Sequence, residues 1–108
     1  MNREQLAKAA GSLRSQSRLA VGTYYSQATD CFCAIGVLAL SLGHDMRELH
    51  YLGLSDLDKV QDAYGLRETD LNDIYEANDN TPEAERIEGV IRFLTELTER
   101  DERECSQS

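Results

Sequence analysis

The chain is 108 residues long, the length of one ordinary domain with one modest hydrophobic core. Hydrophobic residues make up 41% of it and charged residues 29%, a composition that excludes an intrinsically disordered protein. The net charge of -9 repels phosphate backbones, so general binding of DNA or RNA is excluded as well.

This charge is unevenly distributed along the chain. Residues 1–27 carry four basic side chains against Glu4 alone, whereas residues 28–108 carry 7 basic and 19 acidic side chains. The basic N-terminal stretch is therefore the part of the chain where the binding of a small anion is most favourable.

The cysteines and the apolar runs indicate the compartment. Residues 1–10 mix charged and polar side chains where a secretory signal has an apolar stretch. The longest apolar run, Cys31–Leu40, is about half as long as a membrane-spanning helix. We expect a cytoplasmic protein that does not enter a membrane, with Cys31, Cys33 and Cys105 as reduced thiols.

The first predicted helix begins after Asn2, an N-cap with Gln5 three residues further on in capping-box position. We expect this helix to run to Gly22, the first strong stop signal. Over residues 23–27, β-branched and aromatic residues interrupt the helical pattern and predict a short strand or hairpin, or an extended loop, near Tyr24. The apolar stripe of the helix is Leu6, Ala9, Ala10 and Leu13.

A central helix is predicted over Cys31–Leu42, with Asp30 as its N-cap and Gly43 as its end. Its residues are apolar on every side, which is the pattern of a helix surrounded by protein. Residues 44–54 have no clean period and predict an irregular connection.

Two shorter helices follow. The first begins at Ser55 and ends at Gly65; the second begins at Thr69 or Asp70 and ends in a polar loop over residues 78–80. Their predicted buried residues are Leu57, Val60 and Tyr64 in the first, and Leu71, Ile74 and Tyr75 in the second.

The last helix is predicted with Thr81 as N-cap and Pro82 in its first position, and the polar tail 101–108 is expected to fray. Taken together, the patterns predict one mainly helical domain over residues 1–108. It is a bundle of four to five helices around the central apolar helix, with a short strand or hairpin near Tyr24. The stripe of the last helix is Ile87, Val90, Ile91, Leu94 and Leu97.

One group of residues raises the question of a metal site. His44 and Glu48 stand four apart, with Asp45 and His50 nearby. A zinc site needs three or four ligands in a fixed geometry, whereas this group falls in an irregular stretch. We therefore predict no metal, and no motif predicts a cofactor.

Cys33 is the candidate nucleophile, with His44 or His50 as its base. Because Cys33 lies within the most apolar segment, a buried and inert thiol is the favoured interpretation. Cys31 and Cys33 stand two apart, but no second pair of ligands follows them at zinc-finger spacing, so a zinc site is weakly supported. A small cysteine- and histidine-dependent enzyme is thus the alternative and not the first hypothesis.

The candidate ligand-binding residues are Arg14, Arg18, Tyr24, Tyr25 and Gln27. The two arginines stand four apart, on one face of the predicted first helix, and the tyrosines follow within seven residues. Guanidinium groups bind phosphates or carboxylates, and tyrosine rings stack on bases or close over a pocket. In the alternative interpretation, the arginines pair with the acidic remainder of the protein.

Three stretches resemble a family of small phage and prophage proteins, whose members carry GxYxQ, CCLGVL and LND elements. The GxYxQ element corresponds to Gly22–Gln27, the CCLGVL element to Cys33–Leu38 and the LND element to Leu71–Asp73. The motif residues of the second stretch are Cys33 and Gly36, and those of the third are Asn72 and Asp73. Ala34 stands where members often have a second cysteine, which argues against paired-thiol chemistry. The resemblance implies an origin in a mobile element and leaves the role of these motif residues open.

The first hypothesis for function is a non-enzymatic phage accessory protein in the host cytoplasm that counters a host defence or regulatory system by binding. Its partner is then a small anionic, nucleotide-like ligand or a host protein. The alternatives from other classes are the small enzyme and a structural homo-oligomerisation module.

Overall fold

The structure is a computed structural model and describes residues 1–22, 25–26, 28, 30–43 and 54–106. Within them, helices dominate and one two-stranded hairpin is present. In chain order the elements are α1 (Arg3–Arg14), β1 (Tyr25–Ser26), β2 (Cys31–Phe32), α2 (Ala34–Ser41), α3 (Leu54–Tyr64), α4 (Glu68–Asn80), a 3-10 turn (Glu83–Glu85) and α5 (Arg86–Ser106).

The predicted arrangement of helices around a central apolar helix is confirmed. Every α2 residue from Ala34 to Ala39 is buried, and α2 packs against α1, α3 and α4. Helix α5 lies against α1 and α4. Burial of apolar surface is the main force that holds such a bundle together. The predicted stripes supply its fully buried side chains, among them Leu13, Val60, Tyr64, Ile74, Val90 and Leu94.

Helix α1 begins as predicted and ends earlier. Asn2 and Gln5 form the predicted capping box, but the helix stops at Arg14, with Ser15 as its C-cap, and does not reach Gly22. The Ser15 hydroxyl donates to the Ser12 carbonyl at 2.6 Å, an example of a side chain competing for helix backbone groups. The prediction that Arg14 and Arg18 share one helix face is therefore wrong.

The hairpin shortens the central helix at its start. Tyr25–Ser26 pairs antiparallel with Cys31–Phe32, which confirms the hairpin near Tyr24. Asp30 was predicted as the N-cap but lies at the end of the connecting turn with a φ of 51°. The N-cap is instead Cys33, whose Sγ accepts a hydrogen bond from the Gly36 N–H at 3.4 Å.

Helix α4 continues through the segment predicted as a loop. Its third-last residue, Asn78, is only 1% exposed. The Asn78 side chain accepts a hydrogen bond from the Ala34 N–H at 2.9 Å and donates one to the Ala20 carbonyl at 2.7 Å. Asn78, one of the polar residues that predict a loop, therefore joins α4 to the start of α2 and to the segment after α1.

The start of α4 is anchored by Asp70, two residues inside a helix that begins at Glu68. Burial alone would raise the pKa of Asp70, but hydrogen bonds from the Arg67 backbone and side chain, and the charges of Arg67 and Arg100, lower it overall. The Arg100 Nη2 lies 3.5 Å from the carboxylate and ties α5 to α4. A buried, ionised carboxylate thus joins the two helices.

The last helix starts and ends later than predicted. Thr81 is the C-cap of α4, not the N-cap of α5, and its hydroxyl donates to the Ala77 carbonyl at 2.5 Å. Pro82 precedes the 3-10 turn, and α5 begins at Arg86. Helix α5 then continues to Ser106, where the sequence predicts a frayed tail from residue 101. An exposed ion pair between Arg3 and Glu102, 2.8 Å apart, joins this last stretch to α1.

Among the described residues, no helix combines the length and the apolar character needed to cross a membrane.

Candidate functional site

A cleft of about 450 Å³ lies between the segment after α1 and the start of α5. We call it the Arg14–Arg18 cleft. Its volume is within the range of small-molecule sites, about 300–1,000 Å³. It is lined by Arg14, Ser17, Arg18, Glu83, Ala84, Ile87 and Glu88.

Arg14 forms a two-pronged ion pair across this cleft. Its Nε and Nη2 donate to the two carboxylate oxygens of Glu88 at 3.0 and 3.1 Å. This hydrogen bonding raises the pKa of Arg14 and lowers the pKa of Glu88, so both groups stay charged across the neutral range. Both side chains are more than half exposed, so solvent screens the pair.

Arg18 is held differently. Its Nη1 lies 3.4 Å from Glu83 Oε1, and its Nε donates to the Cys31 sulfur at 3.3 Å. The hydrogen bond to the thiol is the largest cause of the raised pKa of Arg18, ahead of Glu83. Arg18 thus makes one contact to a carboxylate, at 3.4 Å, where Arg14 makes two shorter ones.

The backbone after α1 is fixed by contacts distant in sequence. The Ala20 N–H donates to the Phe32 carbonyl at 2.8 Å, which places this segment beside β2. The Leu19 carbonyl accepts from Arg86 Nη1 at 3.5 Å, and the Gly22 N–H donates to Asp79 at 3.4 Å. These contacts place Arg18 in the cleft, although Arg18 lies beyond the end of α1.

The structure brings only part of the predicted site together. Arg14 and Arg18 line one cleft, as the ligand-site hypothesis requires, yet each has a glutamate partner, as the alternative interpretation requires. Tyr24, Gln27 and the side chain of Tyr25 lie outside the described residues. His44, Asp45, Glu48 and His50, which the sequence analysis considers as metal ligands and rejects, also lie outside them.

The motif residues of the resemblance do not line this cleft. Cys33 and Gly36 are buried at the start of α2, whereas Asn72 and Asp73 are exposed on α4. The cleft residues that the sequence reasoning missed are Glu83 and Glu88. They lie 65 and 74 residues from their arginine partners, and no local pattern signals such a pairing.

Cys33 does not have the surroundings of a nucleophile. Its side chain is buried, and burial raises the pKa of the thiol to about 11 from an ordinary value of 9.0. Reactive cysteines have lowered pKa values and solvent access. In the part of the chain that the structure describes, no group of three histidine, cysteine or acidic residues is placed to hold a metal ion.

We predict that the Cys33 thiol of the native protein resists iodoacetamide at pH 8, as measured by mass spectrometry of its peptide. The same cysteine in urea, where it is exposed, is the control.

Because the folded-state pKa is raised, Cys33 contributes stability that is complete below about pH 9 and is lost as the pH rises toward 11. Cys33→Ala should stay folded and keep the binding activity proposed below; a folded but inactive variant would contradict the structural role of this thiol.

No protein-family model matches this chain, and comparison with curated proteins and with solved structures gives no match either.

Proposed function

We propose that this chain is a non-enzymatic binding protein that sequesters a small anionic ligand in the Arg14–Arg18 cleft. The observation that carries the proposal is the position of the two guanidinium groups. They line one cleft in a protein with a net charge of -9, where most of the remaining surface repels anions.

The glutamate partners do not prevent such binding. Exposed ion pairs contribute little to stability, so Glu83 and Glu88 are exchangeable partners. Charge-assisted hydrogen bonds from arginine to a phosphate or carboxylate are stronger when the ligand also excludes water from the cleft. Ala84 and Ile87 supply an apolar part of the wall against which the body of a ligand can pack.

The proposed biological role follows from the resemblance to small phage and prophage proteins. A protein of that origin that captures a small anion removes a signal on which a host defence or regulatory system depends. Burial of Cys33 weighs against the cysteine-dependent enzyme as the alternative. A binding protein needs no reactive group, only the cleft.

Calorimetric titration tests the proposal. The wild-type chain is titrated with mononucleotides, cyclic nucleotides and related phosphate and carboxylate anions. The double variant Arg14→Ala/Arg18→Ala should bind about a hundredfold more weakly, because two charge-assisted contacts are lost. The matched control is Arg3→Ala, which removes an arginine of similar exposure from a similar ion pair with Glu102, in a separate recess that Arg3 and Arg103 line. Its affinity should equal that of the wild type.

Equal affinity in the double variant and the wild type would show that the anion binds elsewhere. If no anion binds the wild type, ligand sequestration is wrong. Native mass spectrometry of the purified protein then distinguishes the remaining hypothesis, because a co-purifying host protein supports docking on a protein surface.

A further inference from the structure

The two arginines of the cleft differ in their capacity to accept a new partner. Arg14 already directs its Nε and Nη2 at both oxygens of Glu88, with contacts of 3.0 and 3.1 Å. Arg18 has one contact of 3.4 Å to a carboxylate and one of 3.3 Å to a thiol. A ligand that binds Arg18 therefore displaces one long contact to a carboxylate, whereas a ligand that binds Arg14 displaces two shorter ones.

The charges around Arg18 also limit the charge of the ligand. Glu83 and Glu88 line the cleft beside the two arginines, so the charges of these four side chains cancel. The protein as a whole has a net charge of -9. Because the Debye length is about 8 Å at physiological salt, carboxylates next to the cleft still repel a bound anion. A first negative charge on a ligand is offset by Arg18, whereas each further charge meets the carboxylates of Glu83 and Glu88.

We propose that Arg18 is the residue that contacts the anion, and that the ligand carries a single negative charge, as a phosphodiester does. Arg14 then acts as a positioning residue whose pair with Glu88 forms one wall. The uncharged body of the ligand covers Ala84 and Ile87. This inference rests on the proposed function, since it specifies the ligand class of the same cleft.

The test compares three ligands with the same base and sugar at pH 7.5. A 3′,5′-cyclic nucleoside monophosphate carries one negative charge, the 5′-monophosphate carries nearly two, and the triphosphate carries more. Calorimetric titration should give the tightest binding for the cyclic nucleotide, with affinity falling about tenfold for each added charge. Glu83→Gln should reduce this dependence on charge, because it removes the carboxylate next to Arg18.

Variants separate the roles of the arginines. Arg18→Gln should weaken binding of the cyclic nucleotide about thirtyfold, whereas Arg14→Gln should weaken it only severalfold. Arg3→Gln is the control and should leave affinity unchanged. All three side chains are about half exposed or more, and circular dichroism is expected to show native helix content in each variant.

The outcomes distinguish this inference from the proposed function. Tighter binding of the triphosphate, or equal losses in Arg14→Gln and Arg18→Gln, overturns the inference while sequestration of an anion in the cleft stands. If none of the anions binds, both the inference and the proposed function are overturned.

Discussion

Replacing Val37 with aspartate is expected to unfold the protein at 25 °C, because the new carboxylate enters the centre of the core without a partner. Val37 is 2% exposed and lies on α2, which is enclosed by α1, α3 and α4. An unpaired buried charge costs several kcal/mol, against a total stability of about 5–10 kcal/mol for a domain of this kind. Leu38→Asp should have the same effect, since Leu38 has no exposed surface.

Circular dichroism and urea titration measure this effect. The matched control is Val21→Asp, the same substitution at a valine that is 49% exposed, which should leave the unfolding midpoint nearly unchanged. A Val37→Asp protein with native helix content at 25 °C would mean that α2 does not lie at the centre of the bundle.

The second large effect is expected at Asn78. Asn78→Ala removes the acceptor of the Ala34 N–H and a donor to the Ala20 carbonyl at a buried position. Each buried backbone group that loses its partner costs about 1–3 kcal/mol, so the loss of two partners should lower the free energy of unfolding by about 2–6 kcal/mol. The loss should be visible as a lower urea midpoint with an unchanged slope.

Asn72→Ala is the control for this experiment. Asn72 lies on the same helix and is exposed, so its replacement removes no buried hydrogen bond and should change stability by less than about 0.5 kcal/mol. If the two variants have the same urea midpoint, Asn78 does not hold α4 to α2 and to the segment after α1.

The elements and the core were predicted from local patterns because those patterns record burial directly. The all-apolar segment that predicts the central helix is the buried α2, and the stripe ending in Leu94 and Leu97 faces the core. Errors occurred at the ends of the elements. Cys33 rather than Asp30 caps α2, because the hairpin uses the residues before it.

The candidate site was predicted only in part. The excess of basic residues near the N-terminus identifies Arg14 and Arg18 as unusual in an acidic chain. It does not identify Glu83 and Glu88, because any of many exposed carboxylates is an equally good partner in sequence terms. The ion pairs of Arg14 with Glu88 and of Arg18 with Glu83 make the four charged side chains of the cleft neutral in sum, and the sequence does not predict this.

By itself, the sequence determined that the chain is mainly helical with its most apolar helix at the centre, since apolar periodicity and continuous apolar runs depend on residues close together in the chain. Only the tertiary structure decided where Arg18 and Asn78 act. Arg18 reaches the cleft through backbone contacts to β2 and α5, and Asn78 is buried because α2 and the segment after α1 present an N–H and a carbonyl to it. Both placements depend on hydrogen bonds between residues far apart in the chain, and a local pattern does not record such contacts.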